Sequence, residues 1–242
     1  MQIYSALQRG DFHLNHCEDY LYIDHIDSNT LLCAVMDGCT MGKDSYFVAT
    51  LTGKLLRKIC KTTGYTEFLK GHPIAEPEER LKAILKELFQ QLNQAKNTLM
   101  LEEKELLTTL IISLTDIRDK KGLILVVGDG VVSVNGQLTE FDQDNRPDYL
   151  GFHLATPFEE WYNAQHQKIT FSNLRDLTIA TDGITLFQPT TSQASTINPA
   201  IFLTTGSTFE EKEDRLNLLL KQLEHEHHLI PGDDLAIIRI TL

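Results

Sequence analysis

Leu31-Leu32-Cys33-Ala34-Val35-Met36-Asp37-Gly38 is an unbroken apolar run that stops on a carboxylate. Runs of this length, bounded by turn residues, read as strands buried in a sheet. The pattern recurs where Leu177-Thr178-Ile179-Ala180-Thr181 leads into Asp182-Gly183, and in mirror order where Asp233-Asp234 leads into Leu235-Ala236-Ile237-Ile238-Arg239-Ile240. An acid at the end of a buried strand must be hydrogen-bonded or metal-bound. If several converge, mutual repulsion makes the group untenable without a cation. Oxygen-only ligands suit Mg²⁺ or Mn²⁺ rather than zinc, because neither Cys nor His occupies the equivalent positions. The pattern predicts a hard-metal site.

Working outward, residues 1–9 and 20–26 read as strands joined by the polar segment 10–19, which holds Glu18-Asp19. From Lys43 to about Thr62, apolar residues recur at helical spacing, with Gly64 as a stop. Pro73 and Pro77 break the chain before a longer helix whose Leu81, Ile84, Leu85, Leu88 and Leu92 share one face. Residues 108–114 and 122–127 read as antiparallel strands, and Asn135-Gly136 joins residues 131–134 to 137–141 as a hairpin. Residues 142–165 read as irregular and flap-like, and 167–172 and 177–181 as strands. Thr208 and Glu211 suggest a capping box opening a helix to about His227. Two groups of antiparallel strands with long helices between them argue an α+β fold with two stacked sheets and helices outside.

The 242 residues carry no Pro/Ser/Gly-rich linker, so a single domain spanning 1–242 is expected. A hydrophobic content of 42% leaves room for a substantial core, and no apolar run reaches the ~20 residues that span a bilayer. The N-terminus lacks a secretory pattern, so a cytoplasmic location without membrane attachment is expected; a monomer is expected as well. A net charge of −12 argues against nucleic acid, whose phosphates demand a basic surface. The four cysteines form no Cys-x-x-Cys pair and read as free thiols, three of them in or beside apolar segments.

The order Glu18-Asp19, Asp37-Gly38, Gly128-Asp129-Gly130, Thr181-Asp182-Gly183 and Asp233-Asp234 before the last strand resembles the metal-dependent protein serine/threonine phosphatases of class 2C, the PPM family. The resemblance runs from about Gly10 to the last residue and looks most like the compact bacterial members. It implies a four-layer α-β-β-α sandwich of two antiparallel sheets flanked by helices, with the site between the sheets at one end. It also implies two Mg²⁺ or Mn²⁺ ions. Asp37 would bridge them, with the Gly38 carbonyl as a further ligand. Glu18 would serve the second ion largely through water, with Asp19 in support. Asp182 and Asp233 would serve the other ion, Asp233 being chosen over Asp234 by alignment of the final strand. Asp129 resembles a family acid that holds metal-associated water. Taken alone, Glu18-Asp19 reads as solvated surface and Asp129-Gly130 as a turn.

The implied activity is hydrolysis of phosphoserine or phosphothreonine on a phosphorylated protein. No protein nucleophile is required, and the chain has neither a Gly-x-Ser-x-Gly elbow nor a Cys-based phosphatase loop. The chain departs from the family at several positions. Leu14 stands where a phosphate-gripping Arg is common, and Leu186 where a third-metal acid is usual. Cys39-Thr40-Met41-Gly42 follows Asp37-Gly38 in place of His or Met and a Gly-Gly pair, and Leu107-Thr108-Thr109 replaces Gly-x-Thr. His13 and His16 are candidates to replace the Arg as phosphate donors. If the segment is extended, side-chain alternation puts His16 on the face of Glu18 and favours it. Two alternatives stay open: a catalytically weak or inactive regulatory relative, and a hydrolase of a small phosphorylated metabolite.

Overall fold

The computed structural model describes residues 1–70, 76–143, 146–191 and 196–242. In chain order the strands are β1 (Gln2–Gln8), β2 (Tyr20–His25), β3 (Thr30–Met36), β4 (Leu110–Asp116), β5 (Lys121–Val127), β6 (Gly130–Val134), β7 (Gln137–Phe141), β8 (Lys168–Phe171), β9 (Asp176–Ala180), β10 (Phe187–Pro189), β11 (Leu229–Pro231) and β12 (Leu235–Thr241). The helices are α1 (Ser45–Lys70), α2 (Pro77–Leu99), α3 (Leu150–His153), α4 (Phe158–Ala164), α5 (Pro199–Thr205) and α6 (Arg215–His227).

Strand β3 is buried along its whole length because its two faces serve different cores. Leu32, Ala34 and Met36 pack with Leu56 and Ile59 of α1 and with Leu81, Leu85 and Leu88 of α2. Leu31, Cys33 and Val35 face the other way, onto Val132, Ile179, Ala236 and Ile238 of the second sheet. A third core lies beyond that sheet, where Tyr4, Ala6 and Ile237 meet Leu203 of α5 and Leu216, Leu219 and Leu223 of α6. These cores separate the layers of an α-β-β-α sandwich. One sheet runs β2-β3-β4-β5-β8 and the other β1-β12-β9-β6-β7, with antiparallel pairing throughout. Each fully buried Leu of α2 contributes about 1.5–3 kcal/mol relative to an exposed one.

Several local expectations are revised. Helix α1 does not stop at Gly64 but continues to Lys70. A Cβ at residue 64 would lie 2.1 Å from the Ile26 carbonyl, so the glycine admits close passage over the β2–β3 turn instead of ending the helix. Residues 146–165, the bulk of the expected irregular flap, are not irregular. They carry α3 and α4, and Leu150, Trp161 and Tyr162 are buried in the core beneath α2. Thr208 and Glu211 form no capping box, for α6 begins only at Arg215. Buried Arg215 instead reaches back to the carbonyls of Thr208 and Gly206. Pro77 opens α2 as its first residue, where its missing N–H costs nothing. Pro73 lies outside the described residues. Helix α5 carried no recognised signal, although Pro199 opens it and Asn198 caps it by accepting from the Ile201 N–H at 3.1 Å. At the expected hairpin, Asn135 and Gly136 both adopt positive φ (52° and 85°), as a type I′ turn demands.

Antiparallel register gathers one end of both sheets. Tyr20 pairs with Met36, so Glu18-Asp19 precede β2 where Asp37-Gly38 follow β3. Leu110 pairs with Val127, bringing Gly128-Asp129 to the same end. In the second sheet Ile237 pairs with Ala180, which sets Asp233-Asp234 beside Thr181-Asp182.

Candidate active site

Backbone bonds pin Asp37 first. Its N–H donates to Thr109 Oγ1 at 3.1 Å, and its carbonyl accepts from the Thr109 N–H at 2.9 Å and the Thr108 hydroxyl at 2.8 Å. Gly38 follows, donating its N–H to the Glu18 carbonyl at 3.2 Å. A Cβ at residue 38 would sit 2.0 Å from the Ser45 carbonyl, so only glycine lets the start of α1 close over this turn. Ser45 in turn donates its hydroxyl to Glu18 Oε1 at 2.5 Å.

The Asp233-Asp234 pair divides its labour. Asp234 is 2% exposed, and both its oxygens accept main-chain N–H groups, from Gly10 at 2.7 Å and Glu18 at 2.5 Å. It therefore ties the loop before β2 to the loop before β12. Asp233 is only partly buried, and its Oδ1 accepts from the Asp234 N–H and from His13 Nε2, both at 2.8 Å. A carboxylate can only accept there, so His13 carries its proton on Nε2. Its other nitrogen lies 3.6 Å from Glu18 Oε1 and 3.8 Å from Asp234 Oδ2. Arg9 holds this loop by donating to the carbonyls of His13 (2.6 Å) and Leu14 (2.5 Å).

Asp19 is 4% exposed and links the sheets, its Oδ2 accepting the Thr181 hydroxyl at 2.6 Å. Its Oδ1 and Glu18 Oε2 are buried without a hydrogen-bond partner. Burial, then repulsion from Asp19 and Asp182, pushes the Asp37 carboxyl far above the usual carboxylate range. Asp19 is raised by burial and by Asp182 and Asp234, against the pull of Thr181. Asp182 is raised to about 7 by burial and by Asp129 and Asp233. Asp129 is raised by burial, Asp142 and Asp233. Strand register brings Asp37, Asp19, Asp129, Asp182 and Asp233 to one end of the two sheets, where their charges repel.

Two clefts flank these acids. One, about 380 Å³, is lined by His13, Asn15, His16, Glu18, Ser45 and Tyr46. The other, about 360 Å³, is lined by Asp129, Asp142, Asp182, Thr185, Leu186 and Glu140. Among the described residues no three His, Cys, Asp or Glu side chains form a ready-made metal cage. What the region offers is oxygen donors, two of them orphaned. That donor chemistry fits a hard divalent cation.

The segment holding the histidines is not extended, so the alternation that favoured His16 does not apply. The chain turns there, putting the His13 ring among the acids while exposed His16 stacks on Tyr46 at 4.4 Å between ring centres. Leu14 points outward, 84% exposed, and Leu186 stands on the wall of the Asp129–Asp182 cleft. Sequence reading assigned no part to Ser45, Thr181, Arg9 or Asp234 as an anchor. Ser and Thr hydroxyls beside an acidic signature were the one available signal.

The Protein phosphatase 2C family profile matches residues 9–224. The chain belongs to the protein phosphatase 2C family. Solved structures resemble this phosphatase 2C chain over nearly its full length. One is the phosphatase domain, with a fragment of the regulatory domain, of SpoIIE from Bacillus subtilis, at 16% identity and TM-score 0.60. The match covers 100% of this chain but 63% of that one. Another is the serine/threonine phosphatase Stp1 from Staphylococcus aureus, at 18% identity and TM-score 0.62, covering 99% of this chain and 94% of that one. A third is RsbX in complex with magnesium, at 14% identity and TM-score 0.55, covering 98% and 92%. At these identities the likeness is one of fold. No curated protein matches the chain in sequence. No described helix is long and apolar enough to cross a membrane.

Proposed function

We propose that the chain is a metal-dependent phosphoprotein phosphatase acting on phosphoserine or phosphothreonine. The observation that carries this reading is the crowding of Asp19, Asp37, Asp129, Asp182 and Asp233 at one end of both sheets, with buried oxygens of Asp19 and Glu18 left unpartnered. Family membership and the magnesium bound by RsbX support it. Asp37, the Gly38 carbonyl, Asp182, Asp233 and Glu18 would hold two Mg²⁺ or Mn²⁺ ions, with Asp19 and Asp129 in support. When bound, such ions supply charge neutralisation for phosphoryl oxygens and lower the pKa of water toward neutrality.

The chain's own residues do the rest. Thr108 and Thr109 fix the Asp37 backbone, Asp234 locks the Gly10 and Glu18 loops together, and Ser45 orients Glu18. His13 lines the 380 Å³ cleft while its Nε2–H is given to Asp233, so a contact with a substrate phosphate there would come from its other nitrogen, Nδ1. A second reading, a regulatory relative with weak turnover, draws on Leu14 and Leu186, which bring neither a cation nor an oxygen. Manganese-stimulated hydrolysis of p-nitrophenyl phosphate and of a phosphothreonine peptide by the purified protein tests both. Turnover lost in Asp37→Asn supports the enzyme, and its absence in the wild type favours the regulatory relative.

A further inference from the structure

Helix α1 starts at the site, where Ser45 touches Glu18, and carries a charge opposite to that of the chain. Between Ser45 and Lys70 stand five basic residues and one acid, a net of +4 in a protein of −12. The acid, Glu67, is half-buried and paired with Arg80. The inner face of the helix is committed to the core through Val48, Ala49, Leu56, Ile59 and Cys60. The charges exposed along the outer face between Lys54 and Lys61 are therefore all cationic. Lys54, Arg57, Lys58 and Lys61 are exposed along it, and none has an ion-pair partner among the described residues. The stripe ends in Tyr65 (67% exposed), Phe68 (84%) and Leu69 (62%). A rise of 1.5 Å per residue puts Lys54 about 14 Å and Lys61 about 24 Å from Ser45 along the axis.

We infer that this face of α1 is a docking track for an acidic segment of the phosphoprotein substrate. The inference rests on the phosphatase reading for what the partner is, while the complementarity stands on the helix itself. An extended peptide covers ~3.4 Å per residue, so the acidic residues would lie about four to seven positions from the phosphorylated one, with apolar residues farther out. Protein is favoured over a lipid surface by the layout of the stripe. A helix lying in a membrane interface needs an apolar face along its length. Here the exposed apolar side chains sit at the two ends, Tyr46 at the start and Tyr65, Phe68 and Leu69 at the far end, while the stretch between them exposes Lys54, Arg57, Lys58 and Lys61.

Two fluorescent phosphothreonine peptides test this, identical except for an Asp/Glu-rich or a Ser/Gly tail about four to seven residues from the phosphothreonine. Binding to the full chain is followed by anisotropy at ~50 and ~300 mM NaCl, conditions of weak and strong screening. The acidic tail should bind at least about fivefold tighter at low salt and lose that margin at high salt. The triple variant R57E/K58E/K61E should lose the preference while keeping its circular dichroism and thermal melt. Equal affinity for the two tails, or a preference surviving in a folded triple variant, overturns the proposal. So does binding of anionic phosphatidylglycerol vesicles in place of the acidic peptide, or self-association abolished by the same variant. Wild-type turnover of p-nitrophenyl phosphate is measured alongside. Tail preference without turnover supports the docking track and counts against the phosphatase reading alone.

Discussion

The Thr181 hydroxyl bridges the two sheets, donating to Asp19 Oδ2 at 2.6 Å while accepting the Ala236 N–H at 2.9 Å. It gives the buried Asp19 carboxylate its hydrogen bond, and the other Asp19 oxygen has none. Thr181→Val should therefore cost about 1–3 kcal/mol, the penalty for orphaning a buried polar group. Thr181→Ser should restore most of it. Urea unfolding of the metal-free protein measures both. An unchanged midpoint in the Val variant would show that Asp19 is already satisfied or neutral.

Asp37 sits amid like charges, with its carboxyl raised by burial, Asp19 and Asp182. Asp37→Asn should depress manganese-stimulated turnover by more than about 100-fold. The same change removes repulsion, so the metal-free melting temperature should rise. Calorimetric Mn²⁺ binding equal to wild type would contradict a bridging role for this residue.

The pH dependence has a definite sign. The Asp182 carboxyl is raised to about 7 from an ordinary 3.8, so between those values the folded state holds a proton that the unfolded chain has released. Metal-free stability should fall as pH climbs through that window, by at most about 1.4 kcal/mol per unit for this group. Asp19 and Asp37 act in the same direction. Mn²⁺ should stabilise more at pH 8 than at pH 5, since its ligands must be deprotonated. Urea midpoints in EDTA that are higher at pH 8 than at pH 5 would refute this.

His13 and His16 separate cleanly. His13 touches Asp233 and faces Glu18, whereas His16 stacks on Tyr46. His13→Ala should raise KM for a phosphopeptide about fivefold or more, ~1 kcal/mol, and His16→Ala less than about twofold. A shift in Mn²⁺ half-saturation with KM unchanged would make His13 a positioning residue for Asp233 and rule out a phosphate contact.

What the sequence determined by itself is short-range. Apolar runs such as 31–36 and 235–240, short and bounded by turn residues, read as buried strands, and the apolar face of α2 as an inner one, because period and length are local properties. Asn135-Gly136 reads as a hairpin because few residues tolerate two successive positive φ angles. Tertiary structure decided the rest. Gly64 resembles a helix stop, and only the Ile26 carbonyl above it shows why the helix continues. The loop from Gly10 to Glu18 takes its path from Asp234, more than two hundred residues away, which captures the N–H groups at both ends and turns His13 inward. Asp233 and Asp234 are adjacent and chemically identical, yet both oxygens of Asp234 are taken by distant main-chain donors while Asp233 meets the His13 ring. Alignment of the final strand with the family picks Asp233, but the anchoring part of Asp234 has no local signal, because hydrogen bonds that close long loops depend on where distant strands have already brought the backbone.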